Sequence, residues 1–226
     1  MQTEKIIDKI VSWLKDYATK AGVKGYVIGV SGGVDSGVVS TLCAMTGLDL
    51  LMLEMPIRQK EDQVNRAWEH MNDITKRFPN AKAMSVNLTP AFEELYKTFD
   101  VKDDEFPSEK LAFANTRSRL RMLTLYYYGQ INSLLVCGTG NKVEDFGIGF
   151  YTKYGDGGVD VSPIADLYKT EVYELARALN LVESIQNAIP TDGLWDVERT
   201  DEQQIGATYP ELEKIQKEWG TKTEED

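Results

Sequence analysis

Histidine and cysteine are nearly absent from this chain, and basic residues are outnumbered. His70 is the only histidine, and Cys43 and Cys137 are the only cysteines. A zinc site built on Cys and His spacing is therefore excluded, as are a Cys-x-x-Cys redox pair and a disulfide framework. Both cysteines fall in apolar stretches and read as small buried hydrophobes. Lys and Arg total 25 against 36 Asp and Glu, a net charge of −11 that opposes non-specific nucleic-acid binding. No apolar run approaches the roughly 20 residues of a membrane span, and the N-terminus has no signal-peptide core. The chain reads as cytoplasmic, with neither nucleic acid nor membrane as a partner.

At 226 residues, with ordinary apolar and charged fractions, the default is a single domain over 1–226. Apolar residues at helical spacing (Ile6, Ile7, Ile10, Val11, Leu14) predict an opening helix closed by Gly22 and Gly25. Strands are predicted at 26–30, 48–55, 81–86 and 134–137, the last nearly all apolar and therefore central. Helical stretches are predicted at 61–77, from Thr89-Pro90 onward, at 108–128 and at 168–179. An acidic connector covers 100–105, functional loops cover 146–158 and about 189–201, a short helix follows, and Thr223–Asp226 frays. Strands alternating with helices predict an α/β fold: an open, doubly wound parallel sheet with helices on both faces. In such sheets ligands gather at the carboxyl ends of the strands.

Directly after the apolar run Tyr26–Val30 stands Ser31-Gly32-Gly33-Val34-Asp35-Ser36, followed by a helical pattern. A strand, a Gly-rich turn and a helix N-terminus make an anion site, because free N–H groups and the helix dipole converge there. Gly32 and Gly33 admit close backbone approach, and Ser31 and Ser36 offer hydroxyl donors. The loop has no Lys followed by Ser or Thr, so it is not a Walker A loop, and the dinucleotide fingerprint lacks its third Gly. Its six residues match the SGGxDS signature of the ATP pyrophosphatase, or PP-loop, superfamily. A second Gly-rich turn ending in acids, Gly138-Thr139-Gly140-Asn141-Lys142-Val143-Glu144-Asp145, follows the fourth strand. Asp35 and Glu144 are the candidate Mg²⁺ ligands, since that ion takes one or two carboxylates plus phosphate oxygens.

Five motifs in one order narrow the resemblance: 31–36, Asn115–Met122, Gly138–Glu144, Gly155–Asp160 and Pro190–Trp195. The series resembles the synthetase domain of NAD synthetases and spans nearly the whole chain. The resemblance implies an adenine nucleotide alpha hydrolase-like fold and a homodimer with the dinucleotide site at its interface. It also implies conversion of deamido-NAD, ATP and ammonia into NAD, AMP and pyrophosphate. By the same match, Ser31, Gly32, Gly33, Val34, Asp35, Ser36, Thr139 and Lys169 bind ATP. Asn115, Arg119, Arg121, Asp156, Asp160 and Trp195 face deamido-NAD, and Asp35, Lys169 and Asp156 are catalytic. Glu54 and Gly140-Asn141-Lys142 depart from many bacterial relatives, which leaves the adenine contacts open. No amidase domain is expected, because the synthetase takes up all 226 residues. Another ATP pyrophosphatase ligase, acting on a different carboxylate or on tRNA, is the alternative; a nucleotide-binding module without turnover is a third reading. His70 reads as solvated, Trp13, Trp68 and Trp219 as packing residues, and Tyr126–Tyr128 as packing one helix end.

Overall fold

The structure is a computed structural model that describes residues 2–99, 107–191, 194 and 200–222. The acidic connector, Trp195, the last four residues and the side chain of Trp219 lie outside the described residues. Four parallel strands form the sheet: β1 (Gly25–Gly29), β2 (Asp49–Glu54), β3 (Ala81–Ser85) and β4 (Leu134–Val136). Their order is β3-β2-β1-β4. The chain therefore builds outward from β1 on one side, then returns to place β4 on the other. The crevice above β1 and β4 is the topological switch point, where open α/β sheets bind ligands.

Alternation along β1 divides the core in two. Tyr26 and Ile28 face one way, onto α1 (Thr3–Ala21), α2 (Val34–Met45), α3 (Glu61–Arg77) and α6 (Lys169–Ala178). Val27 faces the other way, onto α4 (Thr89–Thr98) and α5 (Pro107–Asn132). Helices thus cover both faces of the parallel sheet, as the strand–helix alternation predicts. Helices α7 (Glu183–Gln186), α8 (Asp201–Ile205) and α9 (Tyr209–Lys222) follow. A π-helix spans Lys142–Ile148, so the predicted loop at 146 begins inside a helical turn. No helix among the described residues is long and apolar enough to cross a membrane.

Four expectations need correction. β4 ends the strand order instead of lying at its centre. It is apolar because both its faces are packed, and its outer edge is closed by a parallel bridge from Cys137 to Val161. His70 is not solvated: it is 0 % exposed, with Nε2 2.8 Å from Ser40 Oγ on α2. The polar composition of α3 conceals a narrow inward stripe of Ala67, His70, Met71 and Ile74 at helical spacing. Tyr126 and Tyr127 are exposed, and Leu123, Tyr127 and Ile131 (67 %, 60 % and 60 % exposed) make an apolar stripe along α5. Trp13 is exposed as well and tilts against Tyr17 on the same helix, with ring centroids 5.6 Å apart.

Candidate active site

The loop between β1 and α2 turns on Gly32, whose φ of +84° lies in the left-handed region. A Cβ there would sit 2.9 Å from the Gln63 carbonyl oxygen, so glycine is required for both shape and space. The two serines brace the loop instead of standing free. Ser36 Oγ donates to the Gly33 carbonyl at 3.0 Å and accepts from Ser31 N at 3.2 Å. Ser31 Oγ accepts from Gly33 N at 3.2 Å. No side chain caps α2, which begins at Val34, so its first-turn N–H groups remain available to an anion.

Beside that helix end lies a buried charge cluster. Lys169, the first residue of α6, is 3 % exposed; its Nζ is 2.5 Å from Asp35 Oδ2 and 3.1 Å from Glu144 Oε1. Asn141 uses both ends of its amide. Its Oδ1 accepts from the N–H groups of Val143 and Glu144, capping the π-helix, while Nδ2 donates to Asp35 Oδ1 at 3.3 Å. Tyr209, from α9, donates to Glu144 Oε1 at 2.7 Å and lies 3.2 Å from Asp201 Oδ2. Such π-helical turns are rare and concentrate at functional sites, here delivering Glu144.

The electrostatics follow from this geometry. Burial opposes the Lys169 charge, but Asp35 and Glu144 outweigh it and hold the ammonium protonated well above its usual range. Burial raises the Asp35 carboxyl, with Lys169 pulling against it. For Glu144, burial is outweighed by Lys169 and the Tyr209 hydroxyl, and its carboxyl is lowered. Burial, then the charges of Glu144, Asp156 and Asp35, pushes the Asp145 carboxyl up to about 6. A polyphosphate entering this acid-rich corner, with Lys169 the cation inside the cluster, needs a further cation. Asp35 and Glu144 suit Mg²⁺ carried by phosphate oxygens.

A cavity of about 400 Å³ joins these groups to α5. Of the residues expected in the site, Ser31 to Ser36, Thr139, Glu144 and Lys169 line one side of it, and Asn115, Arg121 and Asp156 the other. Asp156 is held in place: Ser118 Oγ and Thr152 N both donate to its Oδ1, at 2.6 and 3.1 Å. Arg121 donates to the Met55 carbonyl and to Gln59. Arg119 and Asp160 lie off the cavity wall. Arg119 donates to the Lys153 carbonyl, and Asp160 accepts from the backbone N–H of Val136 and from the Tyr126 hydroxyl. Asn141, Ser118, Asp201 and Tyr209 are additions that the sequence reading did not single out. Asn141 and Ser118 fall within recognised motifs, whereas Asp201 and Tyr209 lie in a terminal amphipathic stretch without any distinguishing pattern.

Comparison with known proteins gives this arrangement a family. The profile described as NAD synthase matches residues 6–226. The NH(3)-dependent NAD(+) synthetase of Mesoplasma florum is 40 % identical over 214 residues, covering 94 % of this chain and 84 % of that protein. The structure of an NMN synthetase from Francisella tularensis superposes with a TM-score of 0.86 at 32 % identity, over 96 % of this chain and 87 % of that one. An NH3-dependent NAD synthetase from Campylobacter jejuni, in complex with nitrate ion, gives a TM-score of 0.72 at 30 % identity, over 82 % and 77 % of the two chains. With the loop, the crevice and nearly the full length of the chain in agreement, this protein belongs to the NAD synthase family.

Proposed function

We propose that this chain adenylates the nicotinate carboxylate of deamido-NAD with ATP, releasing pyrophosphate, and amidates the product with ammonia to give NAD and AMP. The observation that carries this reading is the buried Asp35–Lys169–Glu144 set beside the uncapped N-terminus of α2. A carboxylate is a poor acyl donor because its leaving group would be oxide. Attack by one carboxylate oxygen on the α-phosphorus breaks the bond to the pyrophosphate oxygen, and AMP then becomes the group that ammonia displaces.

On this reading the loop N–H groups and Lys169 hold the departing pyrophosphate, with Thr139 against the nucleotide. Asp35 and Glu144 would hold Mg²⁺, which when bound neutralises charge growing on the phosphate oxygens. Asn115 and Arg121 face deamido-NAD. Asp156, whose Oδ1 accepts from Ser118 and Thr152, would accept a proton from the ammonia nitrogen as it attacks. Residues 1–226 then form one synthetase domain acting in the cytoplasm, and the exposed apolar stripe on α5 supports a homodimer.

The Francisella likeness favours a second reading that keeps the chemistry and shortens the substrate to the mononucleotide, giving NMN. The deciding assay supplies ATP, Mg²⁺ and ammonium chloride with deamido-NAD or nicotinate mononucleotide, with glutamine replacing ammonium in parallel. NAD and pyrophosphate formed in equal amounts from ammonium, and not from glutamine, is the expected result. NMN formed in preference would select the second reading, and pyrophosphate without either product would overturn both.

A further inference from the structure

We infer that Tyr209 is a positioning residue for the phosphate end of this site, an inference that rests on the functional reading above. Tyr209 is 4 % exposed, and its single phenol meets three charged groups. The hydroxyl donates to Glu144 Oε1 at 2.7 Å and lies 3.2 Å from Asp201 Oδ2, while Lys169 Nζ lies 4.8 Å from the ring centroid. Glu144 Oε1 thus receives the phenol proton and the Lys169 ammonium together, which fixes a flexible side chain in one rotamer.

The helix carrying Tyr209 is fastened to the two elements that carry Lys169 and Glu144. Glu213 on α9 accepts from Thr170 N and Oγ1, at 3.0 and 2.7 Å, in the first turn of α6. Gln216 donates to the Lys142 carbonyl at the start of the π-helix, at 3.4 Å. A purely packing role for Tyr209 would need only its ring. The hydroxyl has a distinct use: it holds Glu144 without adding charge, whereas a second ammonium there would neutralise the carboxylates a cation needs.

Tyr209→Phe keeps the ring over Lys169 and removes only the hydroxyl. Calorimetric titration of the full chain with ATP, with and without Mg²⁺, alongside kcat and KM, is the test. The expected result is Mg²⁺–ATP binding weakened about tenfold, a similar fall in kcat, and little change in ATP binding without Mg²⁺. Glu213→Gln loosens the docking of α9 while leaving the hydroxyl in place; it should lower the melting temperature and keep Mg²⁺–ATP affinity within twofold of wild type. The inference is overturned if Tyr209→Phe binds Mg²⁺–ATP like wild type, or if Glu213→Gln reproduces its defect. In a cycle with Glu144→Gln, the Tyr209→Phe effect should largely vanish; full additivity also overturns the inference. Wild type that forms neither NAD nor NMN would sink the functional reading alone, because the binding comparison does not depend on turnover.

Discussion

Single atoms decide the phosphate loop. Gly32→Ala brings a Cβ against the Gln63 carbonyl and strains a positive φ, at a cost of roughly 1–3 kcal/mol. Denaturant titration should register that loss, and ATP affinity should fall with it. His70 makes a different demand. Burial, against a weaker opposing influence from Asp73, holds its pKa down to about 4, below the 6.5 of an exposed imidazole. The unfolded chain therefore takes up a proton there first, and stability is lost as pH falls from about 6.5 towards 4. Between pH 7 and 5 this amounts to about 2 kcal/mol. Denaturation midpoints of wild type and His70→Gln across that range should converge as pH falls; parallel curves would show that His70 does not titrate in this way. The local cue to this residue is a narrow stripe within a polar helix, and its partner Ser40 lies 30 positions away on another helix.

Among elements, the π-helix and its cap are the most consequential. Asn141→Ala leaves the N–H groups of Val143 and Glu144 without their acceptor and Asp35 without an amide donor. The lost cap costs about 0.5–2 kcal/mol, and kcat should fall by more than the melting temperature alone explains, since the Glu144 backbone shifts with it. A single assay at matched folded fraction separates the two effects. The motif around Asn141 was legible because glycines and acids after an apolar strand have few other uses. Its π-helical winding was not legible, since seven residues are too few for the wider spacing of such a turn to stand out from that of an α-helix. The apolarity of β4 misled for a similar reason: burial on both faces and a central position produce the same composition.

At the scale of the whole molecule, the parallel sheet and its cover of helices on both faces were legible from the alternation of strands and helices, because that depends on neighbours in sequence; the strand order, with β4 at its end, was not. Nor was what joins distant segments: Tyr209 reaches Glu144 across 65 residues, Arg119 the Lys153 carbonyl across 34 and Asp160 the Val136 N–H across 24. The stripe of Leu123, Tyr127 and Ile131 carries its own prediction. Leu123→Glu should convert the proposed dimer into a monomer in sedimentation velocity while leaving far-UV circular dichroism unchanged; a variant that sediments like wild type would remove α5 from the interface.

The ion pair between Asp35 and Lys169 spans 134 residues of chain. On a ribosome adding about 5–20 residues per second, the anion loop emerges on the order of ten seconds before its lysine. The charge cluster is therefore complete only once α6 has been made and packed onto α2, so a fragment ending before residue 169 lacks the cation that faces Asp35 and Glu144.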